Sequence, residues 1–327
     1  MEINLVVVWA LIIIFGLTMY VLSDGFDLGV GVLFLAAPNS RDRDAMLRSV
    51  TKRWDGSEAW LALVAVCFAI AFPPTLSVMW AAFSIPLLGM LFGLMIRGLA
   101  FKKRADNRGR WDALFCFGSM LVTFLQGTIL GALIQGTAVE GQRFVGNQWD
   151  WLTWFSALTG LTLLLTYALL GATWLLVTTE GALYKKMRRH SHHLLVWFGY
   201  AMTIVMLVTP FLNEAQRERW LGLPNLFHMG FVPMLGVMAF VWVYYVIRFS
   251  EWRRWPFAIT LIMLWTAFFT YITSLWPNII IPNMSIYEMA GQANLGQPLW
   301  GILLFVLAIL AYSFRAFKSS FDNPQLV

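Results

Sequence analysis

The sequence predicts an all-α polytopic membrane protein with about nine transmembrane helices, the N-terminus outside and the C-terminus in the cytoplasm. Three observations carry this reading. The AVILMFWYC set makes up 59% of the 327 residues and charged residues 12%, against roughly 45–50% and about 25% in a globular domain. Polar surface is therefore too scarce to cover a water-soluble chain of this size. Nine segments reach or approach the roughly 20 apolar residues that cross a bilayer core. Lys and Arg fall almost entirely in alternate connections between those segments, as the positive-inside rule requires.

The segments are 5–36, 57–73, 75–100, 113–136, 152–179, 193–212, 226–248, 256–277 and 298–317. Met1-Glu2-Ile3-Asn4-Leu5 lacks the basic start of a signal peptide and leads into too long an apolar run, so it reads as the first membrane helix. Pro73-Pro74 separates the second segment from the third, because paired prolines cannot continue a helix. The connection after the first segment holds Arg41, Arg43, Arg48, Lys52 and Arg53. The next basic connection holds Arg97, Lys102, Lys103, Arg104, Arg108 and Arg110. Lys185 to Arg189, Arg248 to Arg254 and the C-terminal Arg315 and Lys318 complete the basic side, leaving only Arg143, Arg217 and Arg219 opposite. A wrong helix count would have scrambled that alternation. No connection has room for a soluble domain, so residues 1–327 read as a single membrane domain.

The net charge of +6 is accounted for by this orientation, and nucleic-acid binding is not expected. Cys67 and Cys116 lie inside apolar runs without CxxC spacing, which speaks against an iron–sulfur or Cys-rich metal site. No stretch alternates with period two as an outer-membrane strand does.

Ionisable residues inside membrane helices are functional candidates by default. Asp24 and Asp27, at i and i+3 in the first segment, lie on similar sides of one helix, with Gly25, Gly29 and Gly31 allowing another backbone to approach. Counting from Leu5, Asp24 stands about 28 Å deep, in the cytoplasmic third. Asp55 and Glu58 open the second segment at the same face. Four carboxylates gathered there would form a proton-uptake route. The alternatives are a salt bridge from Asp24 or Asp27 to a loop arginine, and a helix cap with Asp55 at the N-cap and Glu58 three residues on.

Histidine is scarce. His190, His192 and His193 fall in a basic connection and His228 near the outer end of the seventh segment, so no histidine sits at mid-membrane to hold a haem. The 16 methionines read as packing. Gly127 and Gly131 have small-xxx-small spacing, and interhelical hydrogen bonds are expected of the flanking Gln126 and Gln135. Glu180 is expected to pair beside the basic stretch that follows it. Tryptophans 149, 151, 154, 276 and 300 cluster at segment ends as interfacial anchors.

Across essentially its whole length the sequence resembles subunit II of the cytochrome bd-type quinol oxidases, most closely the cyanide-insensitive branch. The resemblance rests on Asp24-Gly25-Phe26-Asp27-Leu28-Gly29, Trp54-Asp55-Gly56 with Glu58 and Trp60-Leu61, Ala71-Phe72-Pro73 and Gln126-Gly127 with Gly131. Tyr167 to Gly171 through Trp174, and Thr179-Glu180-Gly181-Ala182-Leu183, extend it. Ser57 departs from the usual asparagine, and Glu288 stands where the family tends to have aspartate. The resemblance implies a heterodimer in the bacterial inner membrane that oxidises quinol and reduces dioxygen to water. It implies b-type and d-type haems on the partner, subunit I, none on this chain, and in some members a quinone held in subunit II. It allows for a small single-helix subunit, and lipid surrounds the whole. It also implies that aspartates matching Asp24, Asp27 and Asp55 belong to a proton path. Two other readings are a proton-coupled secondary transporter, which would show interrupted helices and inverted repeats, and a scaffold whose acids only tether loops.

Overall fold

The computed structural model describes residues 4–51, 54–223, 225–281, 284–290 and 295–322, without the side chains of 51, 54–57, 226, 228 and 316–322. Helix α1 spans Leu5–Val32; the Asn4 side chain caps it by accepting the Val6 N–H at 3.0 Å. A 3₁₀ turn, Phe34–Ala36, and a polar helix α2, Ser40–Thr51, follow. Then come α3 (Trp54–Ala71), α4 (Pro73–Lys103), α5 (Arg108–Gln135), α6 (Trp154–Thr178) and α7 (Gly181–Val208). The short α8 (Glu214–Leu221) precedes α9 (Asn225–Phe249), α10 (Trp255–Leu275), one-turn α11 (Ile286–Met289) and α12 (Gly296–Asp322).

Among the described residues eight helices are long and apolar enough to cross a membrane: α1, α4, α5, α6, α7, α9, α10 and α12. All nine expected segments are helical. The difference is α3, whose described apolar part, Glu58–Ala71, is shorter. Pro73 opens α4 at a first-turn position, where its missing N–H costs no helical hydrogen bond. Within α4, Phe83 leaves helical geometry (φ −120°, ψ 17°) three residues before Pro86. Proline cannot donate to the carbonyl four residues back, so the helix kinks there.

Two expectations need correction. The basic stretches read as connections are largely helical. Arg97, Lys102 and Lys103 belong to α4, and Lys185–Arg189 with His190, His192 and His193 belong to the first turns of α7. Lys and Arg are good helix formers, and their stems can lie along apolar surface while the charge reaches water. The connections also hold short strands. Val139–Glu140 (β1) pairs antiparallel with Arg143–Phe144 (β2), and Asn278–Ile280 (β3) with Met284–Ser285 (β4), at the end opposite the basic one.

Backbones meet where the glycine spacing predicts. A Cβ on Gly29 of α1 would lie 1.7 Å from the Tyr167 carbonyl oxygen of α6, and one on Gly171 would lie 2.4 Å from Gly29. A Cβ on Gly127 of α5 would stand 2.6 Å from Gly160 Cα of α6. Trp9 donates its indole N–H to the Leu295 carbonyl (3.1 Å) and Trp60 to Ser313 Oγ (3.3 Å), fastening α12 to α1 and α3. Many hydroxyls on these helices bond back to their own chain, as Thr123 to Ser119, Thr162 to Leu158, Thr166 to Thr162 and Thr270 to Thr266.

At the basic end, α2 is held by an ion network. Arg104 bonds Asp112 (Nε–Oδ1 2.5 Å) and pairs with Asp44, while Arg43 reaches Asp112 at 3.1 Å and the Ala37 carbonyl at 2.9 Å. Burial pulls the Arg104 guanidinium down, but hydrogen bonds and charge from Asp112 and Asp44 outweigh it and hold it above its ordinary value.

Gly29→Ala is expected to lower stability by about 3 kcal/mol through backbone overlap with α6, seen as a lower thermal midpoint in detergent. Gly98→Ala, with no atom within 4 Å of the added carbon, should leave that midpoint nearly unchanged.

Candidate functional site

Asp24 and Asp27 both lie inside the bundle, at 4% and 2% exposure, one turn apart on α1. The α1–α6 contact at Gly29 puts this stretch against Tyr167, itself buried. From α4, Arg97 reaches Asp24 with a guanidinium nitrogen 3.9 Å from the carboxylate. Arg97 is only 2% exposed, and its guanidinium stands 5.5 Å from the centre of the Phe115 ring of α5. A buried charge is stable only with a compensating partner, and here each supplies the other's.

Tyr20 lies one turn before Asp24 on the same face of α1 and is buried with it. From α5, Gln126 donates its amide N–H to Tyr20 Oη at 2.5 Å. Gln126 with Tyr20, and Arg97 with Asp24, thus make two neighbouring polar pairs drawn from α5, α1 and α4. Gln126 makes the interhelical bond expected of it. Gln135 likewise bonds Thr153, the residue that caps α6.

Next to these pairs lies a partly open cavity of about 1030 Å³ lined mainly by apolar side chains of α1, α3, α4, α5, α6, α7 and α10. Tyr20, Gln126 and Tyr167 line one stretch of its wall, and Trp220 and Tyr271 another. Glu58 is exposed and also lines it, so it does not join Asp24 and Asp27 in the interior. The side chain of Asp55 lies outside the described residues, and with it the question of whether Asp55 and Glu58 cap α3. Among the described residues no group of three or more His, Cys, Asp or Glu side chains could hold a metal ion.

Arg97 is the residue that sequence reasoning misplaced. It was counted with the loop arginines, whereas it supplies the ion pair from within α4. The signal was present, since Met95-Ile96 and Leu99-Ala100 flank it with apolar residues on both sides. Tyr20 was missed altogether, although its place four residues before an intramembrane aspartate puts it on the same helix face. Glu180 pairs, at 2.8 Å, with Arg253 beyond α9 rather than with its own basic neighbours.

Arg97→Met is expected to cost about 3–5 kcal/mol by leaving Asp24 without its countercharge. The double variant Arg97→Met/Asp24→Asn should be less destabilised than Arg97→Met alone, as read from thermal midpoints of the purified protein.

Residues 5–319 match the family model described as cytochrome bd terminal oxidase subunit II. The cytochrome bd-I ubiquinol oxidase subunit 2 of Escherichia coli strain K12 is 24% identical over 349 residues, covering 94% of this chain and 91% of the relative. The cytochrome bd ubiquinol oxidase subunit 2 of Bacillus subtilis strain 168 is 24% identical, covering 92% of each. In fold, the chain is similar to a chain of the bd oxidase from Geobacillus thermodenitrificans, with a TM-score of 0.75 and 17% identity over 98% of this chain and 99% of that one. The apolar helices and bacterial relatives make it a multi-pass protein of the bacterial inner membrane. This largely helical membrane chain, matched to one family model over nearly all its residues, belongs to the cytochrome bd terminal oxidase subunit II family.

Proposed function

We propose that this chain is the haem-free accessory subunit of a quinol-oxidising, dioxygen-reducing complex. It forms one membrane domain over residues 1–327, N-terminus outside and C-terminus in the cytoplasm, and stabilises the haem-bearing subunit I through helix contacts. Dioxygen reduction consumes protons, and a reaction centre buried in the membrane needs a protonatable route to supply them. Asp24, Asp27, Asp55 and Glu58 provide that route from the cytoplasmic face. The observation that carries the reading is Asp24, buried in the bundle yet paired with Arg97.

The b-type and d-type haems belong to the partner. Among the described residues no histidine lines the cavity, and His190, His192 and His193 stand on the first turns of α7 at the basic end. The cavity suits a quinone instead. Its apolar walls take an isoprenoid tail, and two donors line it without a hydrogen-bond partner among the described residues, the Tyr271 hydroxyl and the Trp220 indole N–H. Either could satisfy a quinone carbonyl in a structural role. The transporter reading finds one interrupted helix in α4, and family membership favours the oxidase.

Asp24→Asn and Asp55→Asn should each lower oxygen consumption by the assembled complex about tenfold while leaving its haem spectrum intact. Unchanged turnover in both would remove the proton route. Solvent extraction of the purified complex should yield quinone in proportion to haem, and less of it from Tyr271→Phe.

A further inference from the structure

We propose that the outward seam between α7 and α9 at the basic end binds one anionic phospholipid of the leaflet that this end faces. The chemistry is layered along one helix face. Lys185, Arg189 and His193 fall at i, i+4 and i+8 on α7, and all three are exposed. At 3.6 residues per turn, Trp197, Tyr200 and Ile204 continue the same stripe toward mid-membrane, and they too are exposed. From Arg189 to Ile204 the helix rises about 22 Å, half of the roughly 40–45 Å that a bilayer measures with its headgroups. Cations, then amphipathic rings, then an aliphatic side chain match the phosphate, glycerol and acyl chain of a single lipid.

Helix α9 supplies the second wall, and its register against α7 is fixed. The His192 ring meets Tyr244 edge-on, with 5.3 Å between centroids. A Cβ on Gly199 would lie 2.9 Å from the Phe240 ring. Arg188 donates to the carbonyls of Ile247 and Ser250, each at 2.8 Å. Arg248, exposed and one turn past Tyr244, therefore stands level with Arg188 and Arg189 across the seam. A phosphodiester at this level draws on Arg189 from one helix and Arg248 from the other, with Lys185 and the His193 ring N–H one turn to either side.

These cations are not spent on protein. Other basic residues at this end are engaged: Arg43 and Arg104 with Asp112, Arg253 with Glu180, and Lys186 with the Ala36 carbonyl. Among the described residues, the side chains of Lys185, Arg189 and Arg248 make no ion pair or hydrogen bond. Of the two acids nearest in sequence, Glu180 is taken by Arg253, and Glu251 pairs with none of the three. Three fixed positive charges thus meet the membrane surface without a balancing acid, and an anionic headgroup is their complement. Lys102 and Lys103 at the end of α4 are exposed as well, but Leu99 and Met95 beneath them offer no ring at headgroup depth.

The test uses the intact oxidase, washed free of native lipid in a mild detergent and titrated with phosphatidylglycerol. A ligand that binds only the folded protein raises its thermal midpoint, so the midpoint reports occupancy. The triple variant Lys185→Gln/Arg189→Gln/Arg248→Gln should need about a hundredfold more lipid for half the effect, roughly fivefold for each cation removed. The control Lys102→Gln/Lys103→Gln/Arg110→Gln removes the same charge elsewhere on the basic end and should shift the titration by less than about twofold. Native mass spectrometry should count one tightly held phosphatidylglycerol fewer on the seam variant alone. An unshifted seam variant overturns the site, and equal shifts in both variants overturn it in favour of diffuse attraction. Equal protection by phosphatidylcholine overturns the requirement for negative charge. Equal protection by glycerophosphoglycerol, which lacks acyl chains, overturns the layered lipid site. A wild-type complex that holds no phosphatidylglycerol here, as when subunit I covers the seam, overturns it too.

Discussion

The crossing of α1 over α6 is the constraint from which the rest of the interior follows. With Gly29 on one helix and Gly171 on the other, the two backbones approach until no side-chain atom fits between them. Small residues are how membrane helices gain contact when the lipid is as apolar as their own surfaces. The consequence is that α1 cannot turn its acidic face outward. Asp24 and Asp27 are carried inside with it, and the bundle has to provide for their charge. Arg97 meets that need from α4, and one turn away Gln126 of α5 hydrogen-bonds Tyr20.

The helices themselves were legible because the bilayer imposes one length and one polarity on every span. All nine segments appear as helices, and the proline pair falls at the expected break. What the one-dimensional pattern could not supply was depth. Arg97 sits near enough to Lys102 and Lys103 to look like one more orienting charge, and only the 31-residue length of α4 shows that it is well inside. The salt bridge weighed as the alternative reading of Asp24 is present, but from a helix rather than a loop. Gln126 was correctly assigned an interhelical bond while its partner stayed hidden, since nothing in a sequence brings residues 20 and 126 together. Glu180 shows the same limit, as its partner Arg253 follows a different helix.

The positive charges at the basic end have two uses. Their number sets orientation, which is a property of the whole chain. A few are also fixed structural parts: Arg43 and Arg104 converge on Asp112, and Asp44 joins them, so that α2 is pinned beside the start of α5. Lys186 adds a bond to the Ala36 carbonyl just past α1. A connection that reads as a solvated loop is in this way an ordered helix, held where α1 leaves the bundle.

The self-bonded threonines change what the interior is as a medium. Thr162 and Thr166, which line the cavity, spend their hydroxyls on carbonyls of their own helix. A lining that counts as partly polar by composition is therefore closer to hydrocarbon, and its effective dielectric constant is low. Coulomb forces reach further in such surroundings than in water. The field of Arg97 is thus felt across neighbouring helices, and adding or removing one proton at Asp24 becomes an event that the whole subunit registers.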